Sequence, residues 1–200
     1  MKPNNQKKVW NAIAPEWFEF KDRASPQNIL FMKKQKGKIL DLGCGTGRNF
    51  TKTNAEIYAV DFSEEMIKYA EKKAKQLKIK KIKFFVSDAW KLYFPDNFFD
   101  AVICLSVMHC ISTKTNRQKI LKEIFRVLKP GAKAKISNWN KDSTRFKNKK
   151  KQDYVGWRDK GKRYYYFYTE DELEKEIKAT GFKILKKIIG VNLTFVVGKV

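Results

Sequence analysis

Histidine is almost missing from this chain. The 200 residues hold one, His109, and three cysteines, Cys44, Cys104 and Cys110. No two cysteines stand at a short paired spacing, and two lie in or beside apolar runs. That leaves neither a zinc-ligand pattern nor a disulfide framework, and the thiols read as small buried side chains. No metal site is expected within the chain. No apolar run approaches the length that crosses a bilayer, and the N-terminus carries no signal-peptide pattern. A soluble, cytoplasmic protein is therefore expected. Acids are scarce as well: 44 lysines and arginines face 21 aspartates and glutamates, a formal charge of +23. Heat adaptation enriches glutamate together with lysine, so it does not explain the imbalance. A polyanionic partner does, with nucleic acid first and an anionic membrane surface second. Internal repeats are absent too. At this length, with 42% hydrophobic residues, the chain suits one domain with a sizeable core.

What is present centres on residues 37–61, GKILDLGCGTGRNFTKTNAEIYAVD. A short apolar run at Lys38–Leu42 fits a buried strand. Gly43, Gly45 and Gly47 follow, where a backbone without Cβ can turn tightly and approach a ligand. A second apolar run, Ile57–Val60, ends in Asp61, placed to accept hydrogen bonds from ribose hydroxyls. Strand, glycine turn, helix, strand and acid are the plan of a nucleotide-binding half-unit. No Lys-Ser/Thr pair follows the glycines, as a nucleoside triphosphate would want.

The flanking segments extend the alternation. Residues 4–35 are expected to form a helical preamble (1–36 with its ends), broken at Pro15 and restarted by Ser25-Pro26. Lys21 and Arg23 lie on its connecting piece. Ser63 caps a helix whose Met66, Ile67, Ala70, Ala74 and Leu77 share one face. Strands are expected at Ile82–Val86, Phe99–Leu105 and Ala132–Trp139, with a helix at 115–128. Residues 141–163 are basic, with Phe146, Tyr154 and Trp157 interleaved, and lack periodicity. They read as an insertion or long loop, extending to about 168 with the tyrosine run. A capping box at Thr169 and Glu172 opens a short helix, and Phe182–Ile189 and Leu193–Val197 suggest a terminal hairpin. The sum is an α/β, Rossmann-like, mostly parallel sheet with helices on both faces. Its ligand rim would hold Asp41–Gly47, Asp61, Asp88, Leu105–His109 and Asn138–Trp139. Ile82–Val86 would be an edge strand, a liability unless covered. From the residues alone, His109 reads equally as a ligand-facing group and as a satisfied core histidine. In the extended tyrosine run, alternate rings would point to packing and to solvent.

Four motifs occur in order: LDLGCGTG, VDFSEEMI, SDAWKLYFPDNFFDAVICLSVMHCI and EIFRVLKPGAKAKIS. Over about residues 37–139 the chain resembles the class I S-adenosylmethionine-dependent methyltransferases. The resemblance implies a seven-stranded sheet with the last strand antiparallel and S-adenosyl-L-methionine as cofactor. It puts Gly43, Gly45 and Gly47 against the methionine and ribose part, Asp61 on the ribose hydroxyls, and Asp88 and Ala89 at the adenine. Asp41, Phe62, Met66 and Leu105 complete the implied cofactor set. The ends, VWNAIAPEWFEF and QDYVGWRDKGKRYYYFYTEDELEKEIKATGF, resemble the tRNA wobble-uridine methyltransferases. That family methylates the carboxylate of 5-carboxymethyluridine at the first anticodon position and works with a small zinc-containing activator subunit. The resemblance thus implies a heterodimer acting on a tRNA anticodon stem-loop, and we expect the activator to pair with the edge strand at Ile82–Val86. A carboxylate is ionised at neutral pH and is a ready nucleophile, so the site needs positioning groups more than a base. His109, Lys21, Arg23, Arg163 and Trp139 are the candidates. A small-molecule methyltransferase and a catalytically inactive RNA-binding scaffold are the competing expectations.

Overall fold

The computed structural model describes residues 5–20 and 23–200. Lys21 lies outside the described residues. Seven strands make one sheet: β1 (Lys38–Leu42), β2 (Glu56–Asp61), β3 (Ile82–Val86), β4 (Phe99–Leu105), β5 (Leu128–Trp139), β8 (Lys183–Ile189) and β9 (Asn192–Gly198). Their spatial order is β3-β2-β1-β4-β5-β9-β8. β3, β2, β1, β4 and β5 pair in parallel, and β9 runs antiparallel to both β5 and β8. The last strand is therefore antiparallel, as expected, but it is not at the edge. It slots between β5 and β8, so the terminal hairpin buries its second arm.

The central strands are apolar on both faces, because alternate side chains enter different cores. On β1, Leu40 and Leu42 pack with α4 (Lys114–Val127) and α5 (Glu170–Ala179) through Ile120, Leu121, Ile124, Leu173 and Ile177. Ile39 points the other way, towards Met32 of α2 (Pro26–Lys33) and Ile67, Ala70 and Ala74 of α3 (Glu64–Gln76). The caps are the expected ones: Ser25, Ser63 and Thr169 each accept an N–H from three residues on.

Three expectations are corrected. Pro15 does not break the preamble: α1 runs from Gln6 to Phe20 through it. Burial of Val9, Ile13, Ala14 and Phe18 on one side compensates the hydrogen bond that the proline cannot donate. Residues 141–163 are not simply a loop. They contain β6 (Gln152–Gly156), which pairs antiparallel with β7 (Lys162–Tyr166) as a separate two-stranded sheet. Nor are the tyrosines half exposed: Tyr164, Tyr165 and Tyr168 are buried and only Tyr166 is half-buried. Side chains still alternate, but both faces of β7 are covered. Tyr165 stacks on Trp139 at 4.2 Å, while the N–H of Tyr164 donates to Gln6 Oε1 of α1 at 2.9 Å. β3 lies at the sheet edge as expected, with Val86 47% exposed.

Candidate active site

A cavity of about 500 Å³ opens at the carboxyl ends of β1, β2 and β4. The glycine turn forms part of its wall, and its three glycines do different work. All three have positive φ: 70° at Gly43, 54° at Gly45 and 80° at Gly47. A Cβ on Gly43 would meet Val107 at 2.3 Å, and one on Gly47 would meet Phe50 at 2.6 Å. At Gly45 the nearest atom within reach is Trp17 Nε1, at 4.0 Å. Packing thus excludes side chains at Gly43 and Gly47, whereas Gly45 faces open cavity. Gly43 and Gly45 line the cavity; Gly47 is not among its lining residues.

Asp61 stands where β2 ends and lines the same space. Its two oxygens accept the N–H of Gly45 at 2.9 Å and of Ser63 at 3.0 Å. Burial pushes its pKa up to about 6, against the pull of the N–H groups of Ser63, Gly45 and Phe62. Asp41 lies behind it, 1% exposed and off the cavity wall. Burial, and then the charge of Asp61, push its carboxyl up to about 8. Its Oδ2 has no hydrogen-bond partner among the described residues. Phe62, Met66, Asp88, Ala89 and Leu105 all line the cavity. The expected cofactor set is therefore gathered in one place, except that Asp41 and Gly47 support the wall from behind.

Of the expected substrate-positioning set, His109, Trp139, Arg163 and Arg23 are not on the wall. His109 is 1% exposed in a 3₁₀ turn, Met108–Cys110. Its Nδ1 accepts the N–H of Trp139 at 3.1 Å, and its ring stacks on Trp139 at 4.7 Å. Burial lowers its pKa to about 3, so it is neutral and cannot serve as a cation. Trp139 is stacked among His109, Phe146, Tyr165 and Phe167. Arg163 is buried behind the wall, its guanidinium 4.8 Å from the ring of Trp157, 5.2 Å from Tyr165, 5.3 Å from Trp17 and 5.7 Å from Trp10. Trp10 and Trp17 themselves line the cavity. Arg23 is exposed and off the wall, and its carbonyl accepts Arg48 Nε. Arg48 lines the cavity in its place.

Two further groups shape the opening. Trp157, at the tip of the β6–β7 ribbon, donates its Nε1–H to Glu16 of α1 at 2.6 Å, and Lys160 and Arg158 pair with the same carboxylate at 2.7 and 3.1 Å. This clasp joins α1 to the ribbon beside the cavity. Arg117 of α4 is buried over the ring of Tyr166 at 3.8 Å and donates from Nη1 to the carbonyls of Ile111 and Ser112 at 2.9 and 3.2 Å. Both acceptors line the cavity. Sequence reasoning missed Trp10, Trp17, Asn28, Arg48, Arg117 and Lys135. For Lys135 a signal existed: it shares one face of a central strand with Lys133, between Ala134 and Ile136 that enter the core.

Comparison with known proteins agrees with this geometry. A family model described as a methyltransferase domain matches residues 40–136. An Encephalitozoon cuniculi protein named as a methyltransferase is 31% identical over 159 residues, covering 74% of this chain and 70% of that protein. The chain belongs to the class I S-adenosylmethionine-dependent methyltransferases. Human "Probable tRNA methyltransferase 9B" is 31% identical over 153 residues, 74% of this chain. The Arabidopsis thaliana tRNA (carboxymethyluridine(34)-5-O)-methyltransferase is 31% identical over 136 residues, 66% of this chain. The chain spans about a third of the length of these two relatives, 32% in each case. Among solved structures, a Haloferax volcanii methyltransferase in complex with the Trm112 methyltransferase activator superposes with a TM-score of 0.74 at 16% identity, covering 97% of this chain and 96% of that one. The methyltransferase rim of this chain thus combines two carboxylates at the cavity, Asp61 and Asp88, with indole faces and no free imidazole. Such a site can bind and align reactants. Among its described residues it offers no histidine base.

Proposed function

We propose that the chain methylates a carboxylate on a tRNA wobble uridine, converting 5-carboxymethyluridine to its methyl ester. The observation that carries the reading is the site's lack of an available histidine base in a chain related to tRNA carboxymethyluridine methyltransferases. The one histidine is buried, neutral and engaged through Nδ1. A hydroxyl or amine nucleophile has a proton to lose, whereas a carboxylate at neutral pH has none. S-adenosyl-L-methionine supplies a methyl group already activated by its sulfonium. One C–O bond forms, one C–S bond breaks, and S-adenosylhomocysteine leaves without any proton transfer. The protein's work is alignment. Gly43, Gly45, Asp61, Phe62, Met66, Asp88, Ala89 and Leu105 hold the cofactor, with Asp41 and Gly47 behind them. Arg163 keeps Trp10 and Trp17 in place as walls for the base, with His109 and Trp139 packed behind. Arg23, exposed beside Arg48, joins the outer electropositive approach.

The RNA would lie across residues 141–154. Arg145, Lys147, Lys149, Lys150 and Lys151 are exposed there, and so is the ring of Tyr154. Cations for phosphates beside an aromatic ring for an unstacked base suit a single-stranded loop. The edge of β3, with Val86 exposed, is the place for a small zinc-containing activator subunit to add a strand. The fold shared with a methyltransferase in complex with an activator supports a partner of this kind.

Mass spectrometry of nucleosides tests the reading. The chain, with and without an activator subunit, is incubated with cofactor and carboxymethylated tRNA. A methyl ester at the wobble uridine is expected. Transfer only to free metabolites, or none with the activator present, overturns the assignment.

A further inference from the structure

The cavity is electrically lopsided. Its lining carboxylates are Asp61 and Asp88, both at the β2–β3 side. Towards β5 and α2 it is walled by Ser25, Gln27, Asn28, Lys135, Ser137 and Thr194, with no acid among them. Lys135 is the anomaly. It is a lysine in the middle of β5, 3% exposed, on the wall of a cavity. Its Nζ donates to Asn28 Oδ1 at 2.6 Å and to the carbonyl of Gln27 at 3.3 Å. Both acceptors are neutral, and an ammonium has three donors. No carboxylate pairs with it among the described residues.

A buried charge without a counter-ion is costly, and its surroundings add to the cost. Gln27 and Asn28 stand in the first turn of α2, after the Ser25 cap and Pro26. That end of a helix carries partial positive charge, although the N–H groups of Asn28 and Ile29 already donate to Ser25. Cation and helix end therefore repel one another across a shared wall. Burial, and then the charge of Lys186, lower the Lys135 pKa. Phe31 flanks the ammonium at 5.9 Å. Near Lys135, Ser137 and Thr194 pair hydroxyl to hydroxyl at 3.2 Å, and Asn28 Nδ2 donates to Asn49 Oδ1 at 3.3 Å, so the polar wall is ordered. An anion would resolve the conflict by accepting the third Nζ donor and the field of the helix end together.

We propose that Lys135 and the first turn of α2 form a carboxylate-binding subsite in the active-site cavity. It rests on the methyltransferase reading only for the two carboxylates that could occupy it: the α-carboxylate of the cofactor's amino-acid part, and the acid of the nucleoside. The anion completes the neutralisation that the fold leaves undone, so the site gains its full charge balance only when loaded.

Calorimetry on the whole chain separates the sources. The first arm compares S-adenosylhomocysteine with its decarboxylated analogue. The second, with cofactor product bound, compares 5-carboxymethyluridine with its amide. A charge-assisted contact in a buried site predicts a preference for the acid of about 10- to 100-fold in one arm. Lys135→Met, similar in volume and free of the buried charge, should reduce that preference to about threefold or less with the thermal midpoint kept or raised. Asn28→Asp sets an internal carboxylate beside Nζ. It should raise the thermal midpoint and lower affinity for the acid, opposite signs that a merely structural lysine would not give. A wild type without preference in either arm overturns the subsite. So does an unchanged preference in a folded Lys135→Met or Asn28→Asp protein. Nucleoside turnover by the wild type reports separately on the tRNA assignment, so binding preferences without turnover sink that assignment and leave the subsite standing.

Discussion

Replacing Asp41 by asparagine should flatten the pH dependence of stability. Asp41 is 1% exposed, and its carboxyl is raised from 3.8 to about 8 by burial and by the charge of Asp61. Between those values the folded chain holds a proton that the unfolded chain has lost. Stability therefore falls as pH rises through that window and levels off above about 8. Each unit of such a window is worth about 1.4 kcal/mol. The upper half isolates the residue, because Asp61, raised to about 6, has largely titrated below it. From pH 6 to 8 the loss from Asp41 alone is about 2–3 kcal/mol, a large share of the stability of an ordinary domain. Urea unfolding at half-unit steps from pH 5 to 9 measures it. The wild-type curve should drop across pH 6–8 while the Asp41→Asn curve stays level. Parallel curves would refute the argument, because they would mean that Asp41 is ionised in the folded protein.

The glycine turn gives a contrast within three residues. Gly43→Ala drives a Cβ to 2.3 Å from Val107 and should cost about 3 kcal/mol or more, read as a lost cooperative transition. Gly45→Ala meets no protein atom closer than 4.0 Å. It should cost about 1–2 kcal/mol for its left-handed backbone, yet lose cofactor binding by calorimetry. Asp61→Ala should abolish methyl transfer outright. Arg163→Ala removes a cation from a box of four rings and should destabilise by about 2 kcal/mol. It should raise KM for tRNA while sparing cofactor affinity; lost cofactor binding would invalidate the division between the two halves of the cavity. If Arg145, Lys147 and Lys150 each contact a phosphate, changing all three to Ala should reduce the salt slope of tRNA binding by about 2–3, measured by filter binding between two ionic strengths. An unchanged slope would move the RNA off the ribbon.

Legibility in the sequence followed burial. β3 and β4 fall where their apolar runs predict them, Ile82–Val86 and Phe99–Leu105, because the edge strand and the central strand each leave a short, mostly hydrophobic run. The cofactor half of the cavity was equally readable, since Gly43, Gly45 and Asp61 act through backbone shape and strand ends, which local sequence encodes. The substrate half was not. Whether Arg163 reaches a ligand or a box of indoles depends on α1, about 150 residues earlier in the chain, docking on the ribbon, and no local pattern records that contact. From the residues alone His109 reads equally as ligand and as core, and only the family resemblance favours a ligand role. Its partner is the N–H of Trp139, a main-chain donor that any residue type could have supplied. Lys135 went unremarked because a basic chain makes single lysines look ordinary. The face it shares with Lys133 on β5 is a local signal, but its position on the wall of a cavity, without a counter-ion, is visible only in the fold.

The clasp between Glu16 and Trp157 has a consequence for the order of synthesis. Its partners are 141 residues apart. α1 leaves the ribosome first and can pack Val9, Ile13 and Ala14 on Met66 of α3 early, but its indole face waits for the ribbon tip. At about 5–20 residues per second, that is a wait of roughly 7–30 s. Over that interval the exposed indoles of Trp10 and Trp17 are an amphipathic segment without a home, the kind of surface that holdase chaperones bind. A chain interrupted anywhere before the ribbon keeps its glycine turn and the indoles of α1 but lacks the Trp157 clasp that holds them.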